Sequence, residues 1–329
     1  MKQVCENIRR ELKDYIVRNG IKSLVIGMSG GIDSALCAAL ANPVVRELGI
    51  PLKGRSLPTS SNKPGEILRA RQASEAFCTD FKEYDLTETY KAVAYRAQFM
   101  MEPDDSLEKP LTVRIRQGNI KARLRMIYLY DLASRFDGLV LSTDNYTEYM
   151  LGFWTLHGDH ADYGMIQNLW KTEVYRLAKD LMESYMMSSN PGVSGLAKVL
   201  GDSIGALPTD GLGITSSDCE QFGVSTYDEV DRILREWLSL KRGLSKNLNS
   251  DIGCNIFRVM DLVKSSDILY SKEKKSPSVS EVADIVRRMD EMKDNPVVRR
   301  HERTHFKRNW PISISREDLA SNSSLGGLI

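Results

Sequence analysis

Residues Leu24–Ser34, Leu-Val-Ile-Gly-Met-Ser-Gly-Gly-Ile-Asp-Ser, constrain this chain more than any other stretch. A short, mostly apolar run reads as a buried parallel strand. It ends in a Ser-Gly-Gly turn that opens into Asp-Ser-Ala-Leu-Cys-Ala-Ala-Leu-Ala, small and apolar residues suited to a helix packed on a sheet. Gly30 and Gly31 carry no Cβ, so the backbone can bend sharply and approach a ligand closely. The free N–H groups of the turn and of the first helical turn point one way, with the positive end of the helix dipole behind them. That makes a place for an anion, above all a phosphate. The loop lacks the lysine of a Walker loop, and Gly27, Gly30 and Gly31 do not fit Gly-x-Gly-x-x-Gly.

The rest of the chain says what kind of sheet holds that loop. Val4, Ile8, Leu12, Tyr15 and Ile16 recur at helical spacing over residues 3–19, and Asn19-Gly20 ends the helix. A weak strand is predicted over residues 50–58, a helix over 66–78 and a strand over 81–86. Thr87 caps a further helix running into Met101, and an acidic loop follows from Glu102 to Glu108. A long basic helix over 118–135 precedes a strong strand, Gly138-Leu139-Val140-Leu141-Ser142-Thr143. Strands alternating with helices predict an α/β fold, a doubly wound and mostly parallel sheet with helices on both faces. Ligands of such sheets bind beyond the carboxyl ends of the strands, so the loops Ser29–Ser34 and Thr143–Glu148 should face one crevice. After residue 172 the pattern is helical and irregular, with a break at 188–192, turns at 207–212 and a helix over 227–242. We expect a core over residues 1–215 and a mostly helical region over 216–329, with a charged, extended segment at about 240–300.

Composition narrows the partners. The formal net charge is +1, which gives no basic footprint for nucleic acid or a membrane surface. No apolar run approaches the ~18 residues of a membrane span, and the first residues lack a signal-peptide core. Five scattered cysteines form no Cys-x-x-Cys, so a cysteine metal site is not expected. His157 and His160 lack a third metal partner at useful spacing. A reduced, cytoplasmic setting is the expectation.

Ser-Gly-Gly-x-Asp-Ser after a strand resembles the pyrophosphate-binding loop of the N-type ATP pyrophosphatases. Three further stretches sharpen the likeness: Gly118-Asn119-Ile120-Lys121-Ala122-Arg123-Leu124-Arg125-Met126, then Ser142–Glu148 with Gly152-Phe153, then Lys171 with Pro208-Thr209-Asp210. In this order and spacing they resemble the ammonia-dependent NAD synthetases. The resemblance implies a ligase that joins the nicotinate carboxylate of deamido-NAD to ammonia. It implies ATP as co-substrate, Mg²⁺, and a homodimer whose interface elements are the leading helix and the 118–135 helix. Twenty-eight residues precede Ser29, too few for the amidase domain of glutamine-using relatives, so free ammonia, or ammonia from a separate protein, is the expected donor.

Carried over position by position, the resemblance assigns ATP phosphates to Gly27, Ser29, Gly30, Gly31, Ile32, Asp33 and Ser34, with Thr143, Lys171 and Thr209 as further ATP contacts. It makes Asp33 and Glu148 the magnesium ligands, and Lys171 the cation for the phosphates. It assigns deamido-NAD to Tyr15, Arg123, Asp162, Phe306 and Lys307, and ammonia to Asp159, with Asp33, Lys171 and Asp159 as the catalytic set. Ile32 stands where the family often has Gln, and Leu156 where it usually has Lys. Two other readings use the same loop: an ATP pyrophosphatase of another substrate, such as a tRNA-modifying enzyme, and a nucleotide-binding relative without catalysis.

Overall fold

The structure, a computed structural model, describes residues 2–98, 109–248 and 279–308. The expected loop Glu102–Glu108, and residues 249–278 of the expected extension at 240–300, lie outside the described residues. The chain divides into two compact units, Met1–Tyr149 with Phe153–Glu236, and Met150–Gly152 with Trp237–Ile329.

The first unit is built on five parallel strands in the order β3-β2-β1-β4-β5. These are β1 (Ser23–Gly27), β2 (Leu52–Ser56), β3 (Asp80–Glu83), β4 (Gly138–Ser142) and β5 (Tyr163–Gly164). Every pairing is parallel, so the mostly parallel sheet expected from the sequence is wholly so. Its order reverses direction between β1 and β4, and a ligand crevice belongs at that switch point.

Alternation along the central strands explains why helices cover both faces. Leu24, Ile26, Leu139 and Leu141 enter one buried cluster. They meet residues of α1 (Lys2–Asn19), α2 (Ile32–Leu48), α3 (Pro64–Phe77), α7 (Lys171–Met186) and α8 (Pro191–Ile204). Val25 and Val140 point the other way, onto Leu129 and Ala133 of α5 (Pro110–Arg135) and onto Leu57 and Leu86. Burial on both faces favours a mostly apolar run, which is why β1 and β4 were legible.

Helix ends follow local chemistry. Gly49, at φ 67°, closes α2 with its N–H on the Val45 carbonyl. Pro64 opens α3 as a pre-set first residue, and the Lys63 N–H donates to Glu66 Oε2 at 3.2 Å. The same proline logic opens α5 at Pro110, earlier than the expected Gly118, because Thr112, Val113 and Ile115 obscure the helical pattern there. The remaining helices of this part are α4 (Thr87–Gln98), α6 (Tyr146–Leu151) and α9 (Asp218–Phe222), followed by α10 (Tyr227–Leu248).

The second unit contains α11 (Val279–Met292), α12 (Pro296–Arg303) and α13 (His305–Arg308). Glu302 accepts from Trp237 Nε1 at 2.7 Å and from Lys241 Nζ at 3.1 Å. The Met150–Gly152 segment is held by its carbonyls. Met150 bonds His301 Nδ1 and Arg308, Leu151 accepts from Arg300, and Gly152 accepts from Lys307 Nζ at 2.8 Å. Gly152 has φ 58°, and a Cβ there would stand 2.5 Å from Thr304 Cβ.

Candidate active site

The loop after β1 is braced by its own side chains. Ser34 Oγ receives the Ser29 N–H at 3.3 Å and donates to the Gly31 carbonyl at 3.2 Å, while Ser29 Oγ receives the Gly31 N–H. Gly30 has φ 81°, and a Cβ on it would lie 2.2 Å from the Glu66 carbonyl oxygen. Only glycine satisfies both conditions. Arg69 Nε then donates to the Gly30 carbonyl at 3.0 Å. Gly31 caps α2 with no side-chain hydrogen bond, which leaves the first amides of the helix for a ligand. Ile32 is 4 % exposed and belongs to the apolar core, so it can offer a phosphate its amide only.

Asp33, Glu148 and Lys171 meet at the crevice. Lys171, the first residue of α7, points Nζ to within 2.5 Å of Asp33 Oδ2 and 3.2 Å of Glu148 Oε1. Asn145 Nδ2 donates to Asp33 Oδ1 at 3.0 Å, and Asn145 exchanges two further hydrogen bonds with Glu148. The two loops expected to face one crevice therefore do so, with Asn145 as the direct link. The lysine backbone is fixed as well. Its N–H donates to Thr147 Oγ1 at 2.8 Å, and Asp231 accepts from Thr147 Oγ1, Thr172 Oγ1 and the Thr172 N–H.

The electrostatics are those of one buried cation among several acids. Burial pushes the Glu148 carboxyl up to about 8; Lys171 works against that rise, and Asp33, Asp144 and Asp218 add to it. Burial alone would lower the Lys171 ammonium, yet Asp33, Glu148 and Asp218 more than offset it and hold the proton well above the usual lysine range. Asp218 is pushed up to about 6, chiefly by burial. It is 4 % exposed, its Oδ2 accepts from Tyr227 OH at 3.0 Å, and its Oδ1 has no hydrogen-bond partner. The Tyr227 ring lies 5.1 Å from Lys171 Nζ. Among the described residues no group of three or more His, Cys, Asp or Glu side chains is arranged to hold a metal ion.

Beside this cluster Asp144 accepts from Ser142 Oγ at 2.9 Å and pairs with His160 Nδ1 at 2.7 Å. That hydrogen bond raises the imidazole above its ordinary value. Sequence reasoning gave no role to Asp144, Asn145, Asp218, Tyr227 or Asp231. The first two lie inside the quoted Ser142–Glu148 stretch and carried a signal; the others come from a segment with no chemical motif.

Most of the remaining expected site residues are turned to the protein's own groups. Arg123 is exposed and donates through Nε and Nη2 to the Leu156 carbonyl at 3.2 and 3.1 Å. Asp162 accepts from Tyr130 OH at 2.7 Å and from the Val140 N–H at 3.1 Å. Asp159 accepts from the Thr155 N–H at 2.7 Å. The Tyr15 ring packs on Tyr163, 4.8 Å between centroids. Thr209 donates at 2.9 Å to Oε1 of Glu66, the residue whose carbonyl abuts Gly30. Thr143 follows β4 and is half-buried, Gly27 ends β1, and Lys307 lies in the second unit. The side chain of Phe306 lies outside the described residues.

Residues 4–267 match the family model described as NAD synthase. A protein named NH(3)-dependent NAD(+) synthetase from Finegoldia magna is 33% identical over 233 residues, 70% of this chain and 83% of that one. One of the same name from Helicobacter pylori is 35% identical over 273 residues, 78% of this chain and 91% of that one. Two solved structures share the fold. An NMN synthetase from Francisella tularensis has a TM-score of 0.62 and 22% identity, covering 95% of this chain and 98% of that one. An NH3-dependent NAD synthetase from Campylobacter jejuni has a TM-score of 0.56 and 20% identity, covering 95% and 99%.

Proposed function

The chain belongs to the NAD synthase family, and from that premise we propose that it makes NAD from deamido-NAD, ATP and ammonia. The observation that carries the reading is the convergence of Asp33, Glu148 and Lys171 beside the glycine turn, at the carboxyl ends of β1 and β4. A carboxylate is a poor acyl donor, because its leaving group would be oxide. Its oxygen attacks the α-phosphorus of ATP, the bond to pyrophosphate breaks, and the acyl adenylate forms. Ammonia then attacks the carbonyl carbon, the bond to the AMP oxygen breaks, and the nitrogen loses its extra proton. The protein has to hold anions in line and offset their charge.

The first amides of α2 cradle the departing pyrophosphate, and Lys171 offsets its charge. Asp33 and Glu148 suit Mg²⁺, a hard cation that takes one or two carboxylates together with phosphate oxygens. The two acids share a single ammonium, and Glu148, whose carboxyl burial pushes up to about 8, would give up its proton to such an ion. Bound there, Mg²⁺ would polarise the phosphate oxygens. We assign the acceptor side to Arg123, Asp162 and Tyr15, and ammonia to Asp159, on the strength of the family resemblance.

We also propose a homodimer. Leu111 and Ile115 near the start of α5, and Ile127 and Tyr130 further along it, leave apolar side chains exposed, with Ile127 63 % exposed, and the same helix of a second copy is their occupant. Sedimentation of the purified chain checks this, with Ile127→Asp expected to give monomer. Release of pyrophosphate that requires deamido-NAD is the test of the reaction. Release that follows nicotinate mononucleotide or a tRNA instead would reassign the acceptor, and no release with any acceptor would leave only nucleotide binding.

A further inference from the structure

We propose that Asp218 is a positioning residue for Lys171, receiving its ammonium when a metal–ATP complex claims Asp33 and Glu148. The inference rests on the adenylation reading above and adds a second state to it. Without ligand, the lysine's partners are the same two carboxylates that suit the metal. A divalent cation on those oxygens displaces a monovalent one. The Lys171 side chain is 3 % exposed, so the displaced ammonium has no route to bulk water and needs a buried acceptor.

Asp218 supplies one. Its Oδ1 is a buried carboxylate oxygen without a hydrogen-bond partner, a cost that native interiors seldom carry unless another state uses the group. Tyr227 OH holds the other oxygen, Oδ2, which fixes the carboxylate plane. The same tyrosine presents its ring to Lys171 Nζ at 5.1 Å, so a cation–π face lies alongside the ammonium before it moves. A lysine stem is flexible enough to swing while its backbone stays anchored, here by Thr147 and Asp231 through the start of α7. In the second state the charged lysine remains beside the phosphates, and the charges pair as metal with Asp33 and Glu148, ammonium with Asp218.

The test is Asp218→Asn, measured by calorimetric binding of the Mg²⁺ complex of α,β-methylene ATP and by the unfolding midpoint of the ligand-free protein. Binding is expected to weaken about tenfold or more, the scale of losing one charge-assisted hydrogen bond. The ligand-free midpoint is expected to hold or rise, because a charge that burial disfavours is removed. Unchanged affinity overturns the proposal. So does a lowered midpoint alongside weakened binding, the mark of a merely structural residue. Should Asp218→Asn fail to fold, Tyr227→Phe decides, with about threefold weaker binding expected and unchanged affinity overturning the proposal. Failure of the wild-type protein to bind the probe at all would overturn the adenylation reading instead.

Discussion

Two clusters of the expected site residues behave in opposite ways. Asp33, Glu148 and Lys171 converge on one another, with Asp218 close behind, and the cluster holds more acid than base. Arg123, Asp159 and Asp162 each bond the protein's own backbone. The first cluster gains by admitting a cation with an anionic ligand. The contrast teaches that the charged residues beside the glycine turn are gathered by one another, whereas Arg123, Asp159 and Asp162 are held by backbone groups.

The comparison breaks most easily at the first cluster. Asp33→Ala or Glu148→Ala should lower adenylation about a hundredfold to a thousandfold, the scale of removing one group that offsets developing charge, with the circular dichroism spectrum unchanged. Turnover like that of the wild type in either variant would remove the metal assignment. Gly30→Ala comes next. A side chain at φ 81° in contact with the Glu66 carbonyl should cost about 2 kcal/mol or more of stability. ATP affinity should fall with it, both readable from thermal unfolding with and without nucleotide.

A third test uses pH. Glu148 has a raised pKa in the folded protein, so the folded state keeps a proton that the unfolded chain releases above about 4.5. The stabilising contribution is full below that pH and is lost as pH rises through about 8. The ligand-free wild type should therefore lose stability across that window relative to Glu148→Gln, which carries no such proton. Parallel stability curves for the two proteins would contradict the charge accounting at Lys171. The smallest effect belongs to the second cluster. Arg123→Ala should weaken acceptor binding by about tenfold or less, since an exposed guanidinium is screened, and leave ATP affinity alone. Equal loss for both ligands would mean that the turn at Leu156 supports the whole crevice.

What was legible in the sequence was what is local. Ser29, Gly30, Gly31, Asp33 and Ser34 lie within one turn, so spacing alone fixed their geometry. Val140 and its neighbours announced a central strand because both of its faces are buried. Asp218, Tyr227 and Asp231 were not legible. They reach Lys171 and its supports through tertiary packing from a segment that carries no chemical motif. Pro110 marks a helix start that three β-branched residues conceal. The two-residue strand β5 was missed because so short a run has no periodicity to detect. Asp162, expected at a substrate, serves β4 through the Val140 N–H, a use that no pattern in the chain announces.

The most direct measurement is NAD formation by the purified protein given ATP, Mg²⁺, deamido-NAD and ammonium chloride, followed through a coupled alcohol dehydrogenase. The account predicts NAD that appears only when all four are present, with AMP and pyrophosphate formed in equal amounts. Absence of NAD from the complete mixture, with the protein folded and ATP bound, would contradict it.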